Sequence, residues 1–330
     1  MQAALKEVSS KMSQGTCKLS SGGHCDVIEI DNLRCRTEIG ISQHEIGTKQ
    51  EVVISIRLGC DVRKAGKSDD IIDSVNYGDV SKDVIGYVES TSFNLVEKLA
   101  TDVARICITL YKVQWVQVRV HKPQALRFAD SVGVKIERTP EDFNDSVVYL
   151  SLGSNIEPRK NLRNAIAFLK EKALVLKTSS PFLTPPQLQT NQPDIVNMAV
   201  QILTEMAPTQ LKTFTSGIEK KLLRVRDPNN KHGPRTIDID ISLWGAEVLE
   251  YSIVDEEGLT NHSSPNGHIL EKKKVPDPDV LRFAHVAVPL AEISPHLKHP
   301  TNGSTLASIA RDVTGREDYA NTFPIVDLFR

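Results

Sequence analysis

Between Val52 and Val62 the apolar residues Val52, Ile54, Ile56, Leu58, Cys60 and Val62 fall on every second position, with Ser55, Arg57, Gly59 and Asp61 between them. Side chains that alternate between two faces can bury such a row only as a strand with one face on a core. A purely helical fold is therefore excluded, and something must cover the apolar face. The cover follows directly. Val80, Val84 and Val88 recur every four residues, and Leu95, Leu99, Val103 and Ile106 form a second helical stripe, with Asn94 as its predicted cap. Val116, Val118 and Val120, then Val132, Val134 and Ile136, return to alternation. From Cys25 the predicted order is strand, strand, helix, helix, strand, strand, an α+β unit.

The 330 residues suffice for about two domains. Residues 139 to 146, "TPEDFNDS", are polar and without periodicity, and they read as a linker. They separate a unit over 25 to 138 from one over 147 to 330. The second opens with the strand "VVYLSLGSN", then a helix from Pro158 to Lys172, strands near 174 to 182 and Val196 to Leu203, and a helix from Pro208 to Leu223. Residues 251 to 274 read as an irregular insertion. The leader over 1 to 24 is Ser/Lys-rich and reads as disordered. A cytoplasmic location is the expectation, with mitochondrial import the alternative.

Charge and cysteine usage exclude several function classes. Net charge is -2 and 25% of residues are charged, which leaves no basic field for nucleic acid. No apolar run is long enough to span a bilayer, so no membrane partner is expected. Cys17, Cys25, Cys35, Cys60 and Cys107 make no C-x-x-C pair, which argues against structural zinc and a disulfide scaffold and for a reducing compartment.

The most pointed chemistry lies in "GPRTIDIDISLWG", residues 233 to 245. If Thr236 to Leu243 is a strand, Asp238 and Asp240 share one face, ~7 Å apart along it, while Ile237, Ile239 and Ile241 turn to the core. Such a face is either simply solvated or a hard-cation site, where two carboxylates supply part of a Mg²⁺ shell and nucleotide phosphates complete it. Arg224, Arg226 and Arg235 lie close by in sequence. Three guanidiniums make a poor core and a good phosphate clamp. There is no Walker glycine-lysine loop, so a P-loop enzyme is excluded.

"SLGSNIEPRKNLRNAI", "TPPQLQTNQPDIVNMAV", "IEKKLLRVRD" and "HGPRTIDIDISLWG", in this order and spacing, resemble the 6-hydroxymethyl-7,8-dihydropterin pyrophosphokinase family over about 147 to 312. The resemblance implies a ferredoxin-like α/β sandwich that moves pyrophosphate from ATP to a pterin hydroxymethyl group. It implies that Asp238 and Asp240 hold two Mg²⁺ ions and that Arg224 and Arg235 assist transfer and product release. Glu219, Arg226 and Ile241 would contact ATP, Asn197 would bond the pterin, and Thr184 with Pro185, Pro186 and Gln187 would border its pocket. Three positions depart from the family: Asp277 stands for an ATP-contacting histidine, His285 for a pterin-stacking phenylalanine, and His232 for a tryptophan. An acid facing phosphates is repulsive and a lost stacking ring costs about 1 kcal/mol.

"IGISQHEIG", "KAGKSDDIIDSVNYGDV", "FNLVEKLATDV" and "VRVHKPQA" resemble the dihydroneopterin aldolase family over about 26 to 138. Singly, Tyr77, Glu97 and Lys122 would pass for surface residues at the margins of apolar elements. The resemblance implies a tunnelling T-fold whose sites lie between subunits, hence a homo-oligomer, tetrameric or octameric. It implies a retro-aldol cleavage of 7,8-dihydroneopterin to the hydroxymethylpterin and glycolaldehyde without cofactor, the pterin C=N accepting the electrons. Glu97 would anchor the amino-pyrimidine edge, Lys122 with Glu45 and a water would move protons, and Tyr77 would reprotonate the intermediate. The first unit's product would be the second unit's substrate, so a bifunctional folate-pathway enzyme is the leading expectation. An aldolase with a weakened pyrophosphokinase half is the second. A non-catalytic pterin- or nucleotide-binding scaffold is the third, and epimerisation of the dihydroneopterin side chain stays open.

Overall fold

The computed structural model describes residues 25–123, 125–185, 192–225, 233–254 and 269–315. The leader, Cys17, Pro186, Gln187, Arg226 and His232 lie outside them. Strands β1 (Asp26–Ile39) and β2 (Lys49–Cys60) pair antiparallel, with a bulge between Ile30 and Leu33 where Asn32 takes a φ of 55°. With β3 (Ser92–Phe93), β4 (Trp115–Pro123) and β5 (Ser131–Arg138) they form a sheet in the order β3-β1-β2-β4-β5. Helices α1 (Tyr77–Glu89) and α2 (Val96–Tyr111) cover one face. Ile54, Ile56, Leu58, Val116, Val118 and Val120 are fully buried against Val80, Val84, Val88, Leu99, Val103 and Ile106, so both predicted periodicities meet in one core.

The predicted cap of α2 is corrected. Leu95 is the N-cap and no side chain caps the helix, because the extended path through Ser92–Phe93, which pairs with β1, runs on past Asn94. Asn76 instead caps α1, accepting from the N–H groups of Gly78 and Asp79. At its outer margins the sheet ends in β5 on one side and in β1, covered over two residues by β3, on the other. Both margins leave backbone donors and acceptors for pairing with another chain.

The second unit is a sheet in the order β10-β6-β9-β7, made of β6 (Ser146–Ser154), β7 (Leu174–Thr178), β9 (Ile195–Thr204) and β10 (Asp238–Trp244). Strand β8 (Phe182–Thr184) also pairs with β9, so the strand expected near 174 to 182 is two strands broken at Ser179–Pro181. Helices α3 (Pro158–Leu169) and α4 (Pro208–Lys221) pack on one face. Helices α5 (Ala284–Ile293) and α6 (Leu306–Thr314) pack on the other. Strand β10 shows the face split read from sequence: Ile237, Ile239 and Ile241 are at most 2% exposed, and the two aspartates point away from them. A bulge between Ile241 and Leu243 then turns Leu243 into the opposite core, so the acids stand at the end of a face that is otherwise apolar.

The insertion expected over 251 to 274 is corrected in part. Strands β11 (Leu249–Val254) and β12 (Ile269–Val275) pair antiparallel as a ribbon. Lys272, Lys273 and Lys274 lie on it, so no apolar alternation advertised the strand.

The polar stretch 139 to 146 is tied down rather than slack. Thr139 and Asp142 form a capping box around a short 3-10 turn, and Asp145 accepts a bidentate Arg105 pair at 2.9 and 2.5 Å. Leu174 and Leu203 of the second unit join the first unit's core, Lys177 pairs with Asp83 at 2.8 Å, and Lys170 donates to the Ser90 carbonyl. No helix among the described residues is long and apolar enough to cross a membrane. Cys25, Cys35, Cys60 and Cys107 are free thiols.

Candidate functional sites

Lys122 continues the row Val116, Val118, Val120 along β4, so the pleat that builds the core also turns this lysine inward at the strand's end, 6% exposed. Its Nζ donates to the Ile39 carbonyl at 2.8 Å and to Glu45 Oε1. Glu45 comes from the turn between β1 and β2, where Ser42 N–H donates to its other oxygen at 3.0 Å. The Lys122 bond, with the Ser42 amide behind it, holds the Glu45 carboxyl down at about 2. Gly40, at φ 140°, lies under that carboxylate, and a Cβ there would stand 2.2 Å from Glu45 Cδ. A glycine is therefore required for Glu45 to reach Lys122, a condition the sequence does not advertise.

Tyr77 and Glu97 stand apart from this pair. Tyr77 begins α1 and is 63% exposed, and Glu97 is an exposed first-turn residue of α2. Neither is joined to Glu45 or Lys122 by a hydrogen bond or ion pair within the chain. One protomer thus assembles half of the expected aldolase set and displays the other half on its surface.

The second site is assembled within one chain. Asp238 Oδ2 accepts from Arg235 Nη1 at 2.5 Å, and Asp238 Oδ1 accepts from Arg224 Nη1. Burial alone would raise the Asp238 carboxyl, but the two guanidiniums outweigh it and hold the group well below the usual carboxylate range. Arg224 also donates to Glu219 at 2.9 Å and to the Ile237 carbonyl at 3.1 Å. Glu219, expected at ATP, is 2% exposed and accepts the Ile239 N–H at 2.8 Å; burial raises its carboxyl and the nearby cations offset part of that. Its geometry is that of a residue holding strand and arginine in place. Ile241, also expected at ATP, is 2% exposed in the core and pairs with Leu150 of β6.

Asp240 is the more open acid, its side chain 42% exposed, with Oδ1 taken by Lys212 Nζ at 3.1 Å. Asn197 and Thr184 are brought together, Asn197 Nδ2 donating to Thr184 Oγ1 at 2.8 Å. Asn155 and Lys212 were not singled out from sequence. Asn155 Oδ1 accepts the Arg235 N–H at 2.7 Å and so fixes that arginine's backbone. The signal for Lys212 was a polar residue seven positions before Glu219, beside the buried stripe Leu211, Ile218 and Leu222.

The departing positions are also placed. Asp277 caps the 3-10 turn Pro278–Leu281 by accepting from Asp279 N–H, and burial pushes its carboxyl up to about 6. His285, in the first turn of α5, stacks on Phe283 with centroids 5.3 Å apart. Burial, with Arg235 nearby, pushes its imidazole down to about 4, so it is neutral at pH 7.

The donor set fits divalent magnesium. Asp238 and Asp240 offer hard carboxylate oxygens on one face, and among the described residues no hydrogen bond occupies Asp240 Oδ2. No third His, Cys, Asp or Glu among the described residues completes a metal-holding group, so any remaining ligands come from outside that set.

Comparison with known proteins places both units. Residues 28–137 match the family model of dihydroneopterin aldolase (FolB), and residues 149–295 match that of 7,8-dihydro-6-hydroxymethylpterin-pyrophosphokinase (HPPK). The folic acid synthesis protein FOL1 of Dictyostelium discoideum is 30% identical over 301 residues, 84% of this chain. The chain spans 43% of that relative's length. The dihydroneopterin triphosphate 2'-epimerase of Escherichia coli (strain K12) is 42% identical over 110 residues, 33% of this chain and 92% of that protein. The dihydroneopterin aldolase of the same organism is 38% identical over 113 residues, 34% of this chain and 93% of that protein. The second unit matches the hydroxymethylpterin pyrophosphokinase model, and in its amino-terminal unit the chain is a T-fold member of the dihydroneopterin aldolase family.

Proposed function

We propose that the chain is a bifunctional enzyme of folate biosynthesis, cleaving 7,8-dihydroneopterin in its first unit and transferring pyrophosphate from ATP to the hydroxymethylpterin product in its second. The observation that carries this reading is the acid face of β10: Asp238 and Asp240 project together, one clamped by Arg224 and Arg235, the other with its side chain 42% exposed. The Glu45–Lys122 pair supports the first half of it.

In the cleavage, the proton of the 2′-hydroxyl leaves, the C1′–C2′ bond breaks, and its electron pair passes into the pterin C=N. Glycolaldehyde departs and C1′ takes up a proton. Glu45, ionised at neutral pH and fixed by Lys122 and Ser42, with Lys122 anchored on Ile39, moves the first proton through a water. Tyr77 returns the last one, and Glu97 grips the amino-pyrimidine edge by a charge-assisted pair. Since both are exposed and distant in bonding terms from Glu45, the complete site forms across a contact between subunits of a tetramer or octamer.

In the second unit, Asp238 and Asp240 would hold two Mg²⁺ ions, which would supply neutralisation of the negative charge on the ATP phosphates. Arg235 and Arg224 stabilise the transferred group's oxygens, Asn155 and Glu219 keep those arginines placed, and Asn197 with Thr184 receives the pterin.

The test is one incubation with dihydroneopterin, ATP and Mg²⁺ in which glycolaldehyde and AMP are followed separately. Both products are expected. Glycolaldehyde without AMP would reduce the second unit to a weakened or idle half, and neither product would leave a binding scaffold.

A second reading for the first unit is favoured by its 42% identity to the triphosphate 2'-epimerase against 38% to the aldolase. Epimerisation breaks the same bond and remakes it on the other face of the retained aldehyde, so it calls on the same proton transfers. Chiral separation of recovered substrate measures it: accumulation of the 2′ epimer marks this activity.

A further inference from the structure

Helix α4 turns an unusual row inward. Lys212, Thr215 and Glu219 are 4%, 0% and 2% exposed, spaced so that they share one face of the helix. Two of them seize the backbone of a single residue of the edge strand β10. Glu219 accepts the Ile239 N–H at 2.8 Å, and Lys212 Nζ donates to the Ile239 carbonyl at 2.7 Å. Ile239 is the residue between the two aspartates, so α4 supplies by side chains the ladder bonds that another strand would otherwise make. Each arm then reaches one acid. Lys212 bonds Asp240 at 3.1 Å, and Glu219 holds Arg224, which bonds Asp238.

The charges match one to one. Asp238, Asp240 and Glu219 face Lys212, Arg224 and Arg235. Farther out, Asp277 and Asp279 also feel Asp240, and Lys273 and Arg282 oppose them, while His285 is neutral. Among the described residues the site is therefore balanced before any ligand arrives. A lone divalent cation gains little net attraction there and meets an ammonium beside Asp240. A triphosphate reverses this, because its negative charge offsets that ammonium while its oxygens complete the metal shell.

We propose that Lys212 is a positioning residue and fixed counterion for Asp240 that bars a lone divalent cation from the acid pair and admits one accompanied by a nucleoside triphosphate. This rests on the pyrophosphokinase reading. Lys212 tethers one oxygen of Asp240 and leaves the other without a hydrogen bond among the described residues, and its own tether to Ile239 keeps it from swinging away.

The test is Mn²⁺ binding to the full chain, followed by electron paramagnetic resonance with and without a non-hydrolysable ATP analogue. Lys212→Gln keeps a donor for the Ile239 carbonyl and removes the charge; Lys212→Arg keeps both. Melting curves confirm that each variant is folded, and Lys212→Met replaces the glutamine variant if that one is not. Without analogue, wild type and Lys212→Arg are expected to bind Mn²⁺ weakly, and Lys212→Gln about tenfold more tightly, the effect of removing a unit charge roughly 5 Å from a divalent ion in a water-like dielectric. With analogue, wild type is expected to take up Mn²⁺ strongly. Equal Mn²⁺ affinity of wild type with and without analogue, or no tightening in the uncharged variant, overturns the proposal. Failure of every protein to bind Mn²⁺ with the analogue overturns the pyrophosphokinase reading itself, and this inference with it.

Discussion

The Glu45–Lys122 pair and the Asp238–Asp240 pair show two ways of keeping charge at a site. Lys122 sits at the end of a core row with a carbonyl and one carboxylate as partners, and the other expected groups, Tyr77 and Glu97, face outward. Asp238 and Asp240 take their partners from α4, from the segment after it and from Arg235, three positions before β10, all in one chain. On the proposed reading a neighbouring subunit completes the first arrangement. The second needs none, so oligomeric state should govern one activity and leave the other untouched.

The sharpest break in that comparison is Asp240→Asn, which keeps the shape and removes the charge. AMP formation should fall by about a thousandfold, the loss of several kcal/mol of metal-held stabilisation, while glycolaldehyde release continues. Loss of both products in that variant would mean that the sites are not independent. Lys122→Met leaves Glu45 without its cation and should lower glycolaldehyde release roughly a hundredfold, the scale of one lost proton-transfer group. AMP made from added hydroxymethylpterin should not change.

Gly40→Ala touches no substrate and tests whether placement of Glu45 matters. A Cβ at 2.2 Å must push that carboxylate aside, and the cleavage rate should drop about tenfold for a displacement near an ångström. The smallest effect concerns Asp277. Because burial raises its carboxyl from 3.8 to about 6, the folded state favours the protonated form. The cost of ionising it is absent below the lower value and complete above the upper one. Asp277→Asn should therefore stabilise the protein by about 1 kcal/mol above pH 6 and by nothing measurable below pH 4, read from melting curves at the two pH values.

Periodic features were legible in the sequence because burial acts on every second or every fourth side chain. The row from Val52 to Leu58, the stripe of α1, the stripe of α2 from Leu99 onward and the isoleucine face of the D-x-D strand reappear in buried cores, whereas Leu95, read as part of the second stripe, is 53% exposed ahead of the helix, and Val62 lies past β2. What stayed hidden depended on single contacts between distant segments. Asn94 had the right chemistry for a cap but lies on an extended path set by pairing with β1. That Glu219 also holds Ile239 and Arg224 through its Oε1 shows only once β10 and the end of α4 are side by side. Lys212 looks like any helix lysine until β10 is laid beside it, and Gly40 gains meaning through a carboxylate five residues later. In the ribbon β11–β12 the run Lys272, Lys273 and Lys274 hides the strand that brings Val275 into the core beside Tyr251.

Leu174 and Leu203 lodge in a core that belongs to the other unit, and Arg105 is clamped to Asp145 across the same seam. Cutting the backbone between Arg138 and Ser146 would accordingly yield two fragments that stay together rather than two free proteins. The second half has lent part of its surface to the first half's interior, and a gene fission at this point would have to repaint that greasy surface before either product could live alone.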